Sequence, residues 1–513
     1  MSLSPPTAAA FAAELAHAVV DGQEEAWPRL RSELDQLSGR DWLVLDAAAR
    51  SYRLNHAMPV AGVRGWLGPN LGEPSGLVAA VTSLHVDGRF RERAALALAG
   101  MSGGIAVSAA AVRLLDHVEQ VRAAASQSIA AMLVAQPVPD LLVRSLDVVL
   151  AGRDRFQGPA ALQALERLGE RQFNKHDYVE LLIGAPARRV RRHGFEVANE
   201  LGLLTVPRLL EAVRLEEDQL IVAWCADWLY ERAAPSDFAD LLDARGAFVR
   251  QVAVLRVDDT SLPDAQLLQR AADRAPRVRE AARFRARKRG LDIAGWYRDQ
   301  LDDPEQPATR KAVTLDGLLG AGDASDLPAF QAAMADPRPR IRAVALRGVA
   351  TWSTREETIN LAEPMLLDPS TRVSASAARV LARAGAPSSA ADDAWDSPRP
   401  GSRRAAWFLA RATGGWNAVE SDLRLATDAD PELAGLGRSH VSNWLTTRAA
   451  TTWQPLPEHQ KVRIAALLDA WDASIDLKRT LAFHAGVRPL PGETRPPTQH
   501  GDVVPRKRKW WRR

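Results

Sequence analysis

The sequence holds one cysteine, Cys225, among 513 residues, so it can close no internal disulfide and offers no multi-cysteine zinc site. A lone thiol suits a reducing cytosol. Lysine is also scarce: seven of the 66 basic residues, the rest being arginine. With abundant alanine, this bias is typical of a GC-rich bacterial genome, in which codon drift contributes to any arginine cluster. No apolar run approaches the roughly 20 residues needed to span a bilayer. The opening MSLSPPTAAAFAAELAHAVV has no basic leader and carries Glu14 inside its apolar stretch, so it reads as the start of a helix rather than a signal peptide. These absences predict a soluble, cytoplasmic protein.

Catalytic signatures are equally sparse. The ten histidines are scattered, with no H-E-x-x-H and no pair four residues apart, and no Gly-rich phosphate loop ends in Lys-Ser/Thr. Neither a metal nor another cofactor is expected. GMSGG, from Gly100 to Gly104, fits the G-x-S-x-G pattern of a hydrolase nucleophile, but that motif needs a strand before it. Here a helical stretch precedes it, so a glycine-terminated helix is the better reading.

The formal charge of +3 is misleading, because the segment from Gly486 onward carries eight Lys/Arg against Glu493 and Asp502. That segment supplies +6 and leaves about −3 for the body. Whole-chain charge is therefore no sign that the body binds nucleic acid.

What the sequence does contain is a repeat. FRERAALAL from Phe90, VRAAASQSI from Val121, VRRHGFEVA from Val190 and VRQVAVLRV from Val249 share one register. VREAARFRA from Val278, IRAVALRGV from Ile341, VSASAARVL from Val373 and VRIAALLDA from Val462 continue it. An apolar residue, a small residue four on and an apolar residue eight on form one helical stripe, and the small residue lets a neighbouring helix approach. Weaker copies at Phe156, Leu220, Arg310, Ser402 and Leu433 complete thirteen units spaced 29 to 35 residues apart. Each has room for two short helices. Turn signals such as DRAPR, DPRPR and DPSTR precede the stripes at Val278, Ile341 and Val373, and no segment shows the alternation of a strand.

On these residues the chain resembles HEAT-repeat proteins, in the short bacterial form also seen in phycobilisome-lyase-like repeats. The residues that carry the resemblance are Asp116 and Arg122, Asp273 and Arg279, and Asp336 and Arg342, each pair six apart. The resemblance implies an all-α chain, a right-handed α-solenoid of about thirteen HEAT-like helical hairpins. It also implies a ladder in which each Arg reaches Asp groups in its own or the adjacent unit. The pattern lapses where Ser374 follows Asp368 and where Arg310 takes an apolar position. Residues 1–85 then form an N-terminal helical cap, with a Gly/Pro-rich stretch at 62–76. Residues 86–385 form the main array, 386–402 a loop or hinge, 403–485 further repeats and 486–513 a disordered cationic tail.

Four places are candidates for function. Arg188, Arg189, Arg191 and Arg192 form one basic cluster, and Arg279, Arg283, Arg287, Lys288 and Arg289 belong to a second, in which Phe284 is expected to pack in place of Arg285. Each is a solvated helix face or a polyanion surface. The tail RKRKWWRR (Arg506, Lys507, Arg508, Lys509, Trp510, Trp511, Arg512, Arg513) joins cations to an aromatic dyad that suits nucleic acid, an anionic membrane or an acidic protein groove. In AWCADWLY, Trp224, Asp227 and Trp228 share one helical turn, similar to the Trp and Asp with which HEAT-like DNA glycosylases hold a cationic base. The plainer reading puts both tryptophans in the core. No catalytic constellation emerges, and the expected function is a non-enzymatic scaffold or adaptor with a protein partner. A nucleic-acid-binding protein and a glycosylase-type enzyme are the alternatives.

Overall fold

The computed structural model describes residues 3–20, 24–50, 75–101, 103–135, 139–303, 306–452 and 454–487. The Gly/Pro-rich stretch, Ser102 of GMSGG and the RKRKWWRR tail lie outside the described residues. Among those described there are helices and no strand. Local chemistry starts the helices where the turn signals fall: Asp87, Asp218 and Asp430 cap orphan amides, and proline occupies the first turn of Pro276–Lys288, Pro339–Trp352, Pro400–Ala412 and Pro431–Thr447.

The chain folds as two compact units, residues 1–256 and 257–513. In the first, Gly88–Leu98 packs on Glu119–Ala135 and Gly104–Leu114 on Pro139–Ala151, so like helices stack on like. Further along, Lys175–Ile183 pairs with Arg188–Glu200 and Val206–Leu215 with Gln219–Arg232 as hairpins. The N-terminal helices Pro5–Val20 and Gly39–Ala49 pack together, and the latter closes on Pro139–Ala151 with Trp42 fully buried. In the second unit, Pro339–Trp352, Thr371–Ala384 and Pro400–Ala412 stack in succession, and Gly415–Ala426 forms a hairpin with Pro431–Thr447. Each unit is a HEAT-like, solenoid-type stack of helical hairpins. The stretch expected to be a loop or hinge instead carries the short helices Ser388–Ala391 and Asp392–Trp395, with Ala390, Ala391, Ala394 and Trp395 in the core. The division between units falls at Arg256, not there.

The stripe is buried where the repeat is strong: Val121, Ala125 and Ile129, Ile341, Ala345 and Val349, and Val373, Ala377 and Leu381 are all core. The copies at Phe156, Leu220 and Val462 are out of register, whereas the weak copies at Ser402 and Leu433 are buried in register. Phe156 is 96% exposed and precedes its helix, whose buried stripe is Ala161, Leu165 and Gly169. Val462 is 71% exposed, and Gln460, Ile464 and Leu468 take the core. Arg310 faces solvent while Ala312, Leu315 and Leu318 are buried. A shift of one or two residues keeps the helical period, so periodicity alone could not fix them.

The Arg ladder is built differently from the six-residue pairing. Arg342 donates from Nη1 to the carbonyl oxygens of Asp336 (2.9 Å) and Pro337 (3.0 Å), not to the Asp336 carboxylate. Its Nε and Nη2 fork onto Asp368 of the next repeat, both at 2.8 Å. Arg91 repeats this with Asp116, and Arg403 with Asp428. Arg122 and Arg279 likewise bond the Asp116 and Asp273 carbonyls, and Arg279 sends Nη2 to Asp316. The Asp368 rung, doubtful by sequence because Ser374 follows it, is therefore intact: its carboxylate serves the preceding arginine. Asp336 follows a repeat with Lys311 at the ladder position and takes Arg338 instead.

These contacts set acid sensitivity. Burial pushes the Asp116 carboxyl up, but the Arg91 hydrogen bond, the Val118 amide and the Arg113 charge outweigh it and hold the group at about 2. The Arg338 hydrogen bond likewise holds Asp336 at about 2. Because the folded values are depressed, the stabilisation is complete above the ordinary carboxylate value of about 4 and is lost as pH falls toward 2. The melting temperature is expected to drop across that window, and less so in Asp336→Asn, as calorimetry would show.

Candidate functional site

The first Arg cluster opens Arg188–Glu200 beside a cleft of about 620 Å³ lined by Arg144, Asp140, Asp147, Arg188 and Arg189 among others. It is a balanced surface rather than a basic one. Arg192 forks onto Asp218 at 2.9 and 3.0 Å, Arg191 bonds the Ala185 and Pro186 carbonyls and lies 3.4 Å from Glu216, and Arg189 lies 3.8 Å from Asp147. Arg188, 72% exposed, lies 3.5 Å from the same Asp218.

The second cluster is split by its helix. Arg279 is buried in the ladder, while Arg285 and Arg289 meet at Asp259 and Arg289 also reaches Asp264 at 2.9 Å. Arg283 lies against Tyr297 and Gly320. Only the far face presents Arg287 and Lys288 to solvent, the Lys288 ammonium standing 5.0 Å from the Phe284 ring centroid. Phe284 does not replace Arg285 in packing: it is half exposed, whereas the Arg285 side chain is 12% exposed.

Gln219–Arg232 corrects the placement of the tryptophans. Its buried residues are Ile221, Val222, Cys225, Ala226 and Leu229, one position from the expected stripe. Trp224 and Trp228 are therefore only partly buried, with ring centroids 6.3 Å apart, and Leu220 is 40% exposed. Asp227 is exposed, its carboxyl raised by partial burial and then by Glu231. Cys225 lies opposite, its thiol pushed up to about 12 by burial and the Glu216 charge. The thiolate is the reactive form, so the native protein is expected to resist maleimide labelling until denaturant is added, as mass spectrometry would show.

Two Trp–Asp–Arg groups in the second unit escaped the sequence reading. Trp407 Nε1 donates to Asp422 at 2.8 Å, Arg411 Nε donates to the same carboxylate at 3.0 Å, and the guanidinium lies 5.7 Å from the Trp407 ring centroid. Burial raises the Asp422 carboxyl against these partners. The Arg424 guanidinium lies 4.6 Å from the Trp395 centroid and bonds Asp396 at 3.2 Å. Trp407 and Arg411, four apart on one helix, were a readable signal, but Trp395 and Arg424 meet only through packing.

Among the described residues no group of three His, Cys, Asp or Glu could hold a metal, and no helix is long and apolar enough to cross a membrane. Helices flank GMSGG on both sides, Gly88–Leu98 and Gly104–Leu114.

No family model and no curated protein matches the sequence. Among solved structures, the chain is similar to Kap95p from work on its binding to RanGDP, at 12% identity over 93% of this chain and 72% of that one, with a TM-score of 0.40. It is similar to importin beta in an ammonium sulfate condition at 12% identity, over 92% and 73% of the two chains, TM-score 0.34. A structure of tubulin recruitment by microtubule polymerases with TOG domain arrays is matched at 12% identity over 84% and 98%, TM-score 0.19. Likenesses at these scores carry no function. The chain's own hairpins, small-residue contacts and Arg–Asp ladder make its fold HEAT-like and all-helical.

Proposed function

We propose that this chain is a non-enzymatic scaffold that binds a protein partner along an exposed helix face of its repeats. The observation that carries this reading is how the side chains are spent. The arginines of the two basic segments turn largely into the chain's own carboxylates and carbonyls, while apolar side chains stand in solvent beside the Trp224 helix, Leu215 at 72% and Leu220 at 40% exposure. Stacked repeats present equivalent helices side by side, which suits an extended protein ligand.

Site-specific photo-crosslinking in cells of the source organism tests this. A benzophenone amino acid at Leu215 is expected to yield a discrete protein adduct that the same probe at the fully exposed Asp154 does not. A nuclease-sensitive adduct would favour nucleic-acid binding instead, and no adduct at either position would end the scaffold reading.

A further inference from the structure

The helix Gln219–Arg232 presents a partly exposed face that carries two carboxylates and two indoles. Leu220, Trp224, Asp227, Trp228 and Glu231 follow helical spacing and lie along one side. Trp224 and Trp228 are adjacent, their ring planes inclined by 33°, and both carboxylates are exposed. Among the described residues neither Asp227 nor Glu231 has a cation within ion-pair distance, although they stand four apart, where like charges repel. The arginines nearby are engaged elsewhere: Arg192 with Asp218, Arg232 with Asn199 at 2.6 Å, and Arg256 over the Tyr230 ring at 4.9 Å.

The same chemistry occurs twice more in this chain, and there it is complete. Trp395 with Asp396 holds Arg424, and Trp407 with Asp422 holds Arg411, each guanidinium beside an indole with a carboxylate at its edge. Trp224, Trp228, Asp227 and Glu231 supply the indoles and the carboxylates but no arginine.

We propose that this face docks arginine side chains from a basic peptide segment of a protein partner, which deepens the scaffold reading and rests on it. A planar guanidinium stacks on indole and forks onto a carboxylate, combining cation–π attraction with ion pairing in a way that a lysine ammonium does not. A nucleic-acid backbone is disfavoured, because two uncompensated carboxylates repel phosphate.

The test is a fluorescence-anisotropy titration of the full chain with a labelled Gly/Ser pentapeptide carrying two arginines, beside the same peptide with citrulline, which keeps the shape and removes the charge. The arginine peptide is expected to bind about tenfold more tightly, and Asp227→Asn/Glu231→Gln to weaken it about tenfold, since both carboxylates are exposed and the fold is retained. Trp228→Leu is expected to weaken it similarly. Equal affinity for the two peptides, or unchanged affinity in the Asn/Gln chain, would overturn the proposal. Crosslinking at Leu215 separates the two readings. A protein adduct that persists in the Asn/Gln chain keeps the scaffold and removes the arginine site, whereas an adduct lost with those substitutions supports both.

Discussion

Asp116→Asn is expected to destabilise the first unit by about 3–5 kcal/mol, the cost of breaking a buried ion pair from one side. The Asp116 side chain is inaccessible to solvent and accepts from Arg91 Nε (2.8 Å), Arg91 Nη2 (3.0 Å), Arg113 Nη1 (3.1 Å) and the Val118 amide (3.0 Å). Arg113 is itself fully buried, and burial lowers its pKa despite Asp46 and Asp116 beside it. An asparagine keeps the shape and can still accept from Val118, but it takes from Arg91 its carboxylate and leaves Arg113 with Asp46. Urea denaturation followed by circular dichroism measures the loss. Asp396→Asn, at a carboxylate 84% exposed and paired with Arg424, is expected to leave the midpoint unchanged within error.

Gly437→Ala is expected to cost about 2 kcal/mol, although alanine gains about 1 kcal/mol over glycine in helix propensity. Gly437 sits where Pro431–Thr447 crosses Gly415–Ala426, and a β-carbon there would lie 2.3 Å from the Ala426 nitrogen and 2.7 Å from the Leu425 carbonyl carbon. Backbone cannot swing aside as a side chain can, so the helices must separate and the packing around Leu433 and Val441 is lost. Gly435, two residues earlier on the same helix, is the control. Its nearest neighbour to an added β-carbon is the end of Arg438 at 3.9 Å, so Gly435→Ala is expected to stabilise by up to about 1 kcal/mol. Thermal melts of the two variants should therefore move in opposite directions.

Gly437 also shows how much of the fold was legible. The small residue four after the apolar one marks a helix contact at Gly194, Ala345 and Ala377 as well, and all three are buried. A small residue at a contact is a steric requirement that sequence records directly. The Trp224 helix shows the opposite. Its stripe could be drawn through Leu220, Trp224 and Trp228 or, one residue later, through Ile221, Cys225 and Leu229, and both satisfy the helical period. Neighbouring helices chose the slimmer stripe for the core and left the indoles at the surface, which turned core filler into a candidate site.

By itself the sequence determined the helical class and the thirty-residue repeat, because period, turn chemistry and residue size are local properties. Which carboxylate each ladder arginine takes was decided only by stacking: an Asp six residues away along the chain offers its carbonyl, while the carboxylate of the next repeat, 25 or 26 residues on, meets the guanidinium fork. The same stacking neutralised most of the two basic segments and, among the described residues, left Asp227 and Glu231 without a cation. Charge in a sequence is a count, but charge at a surface is what remains after packing has paired the rest.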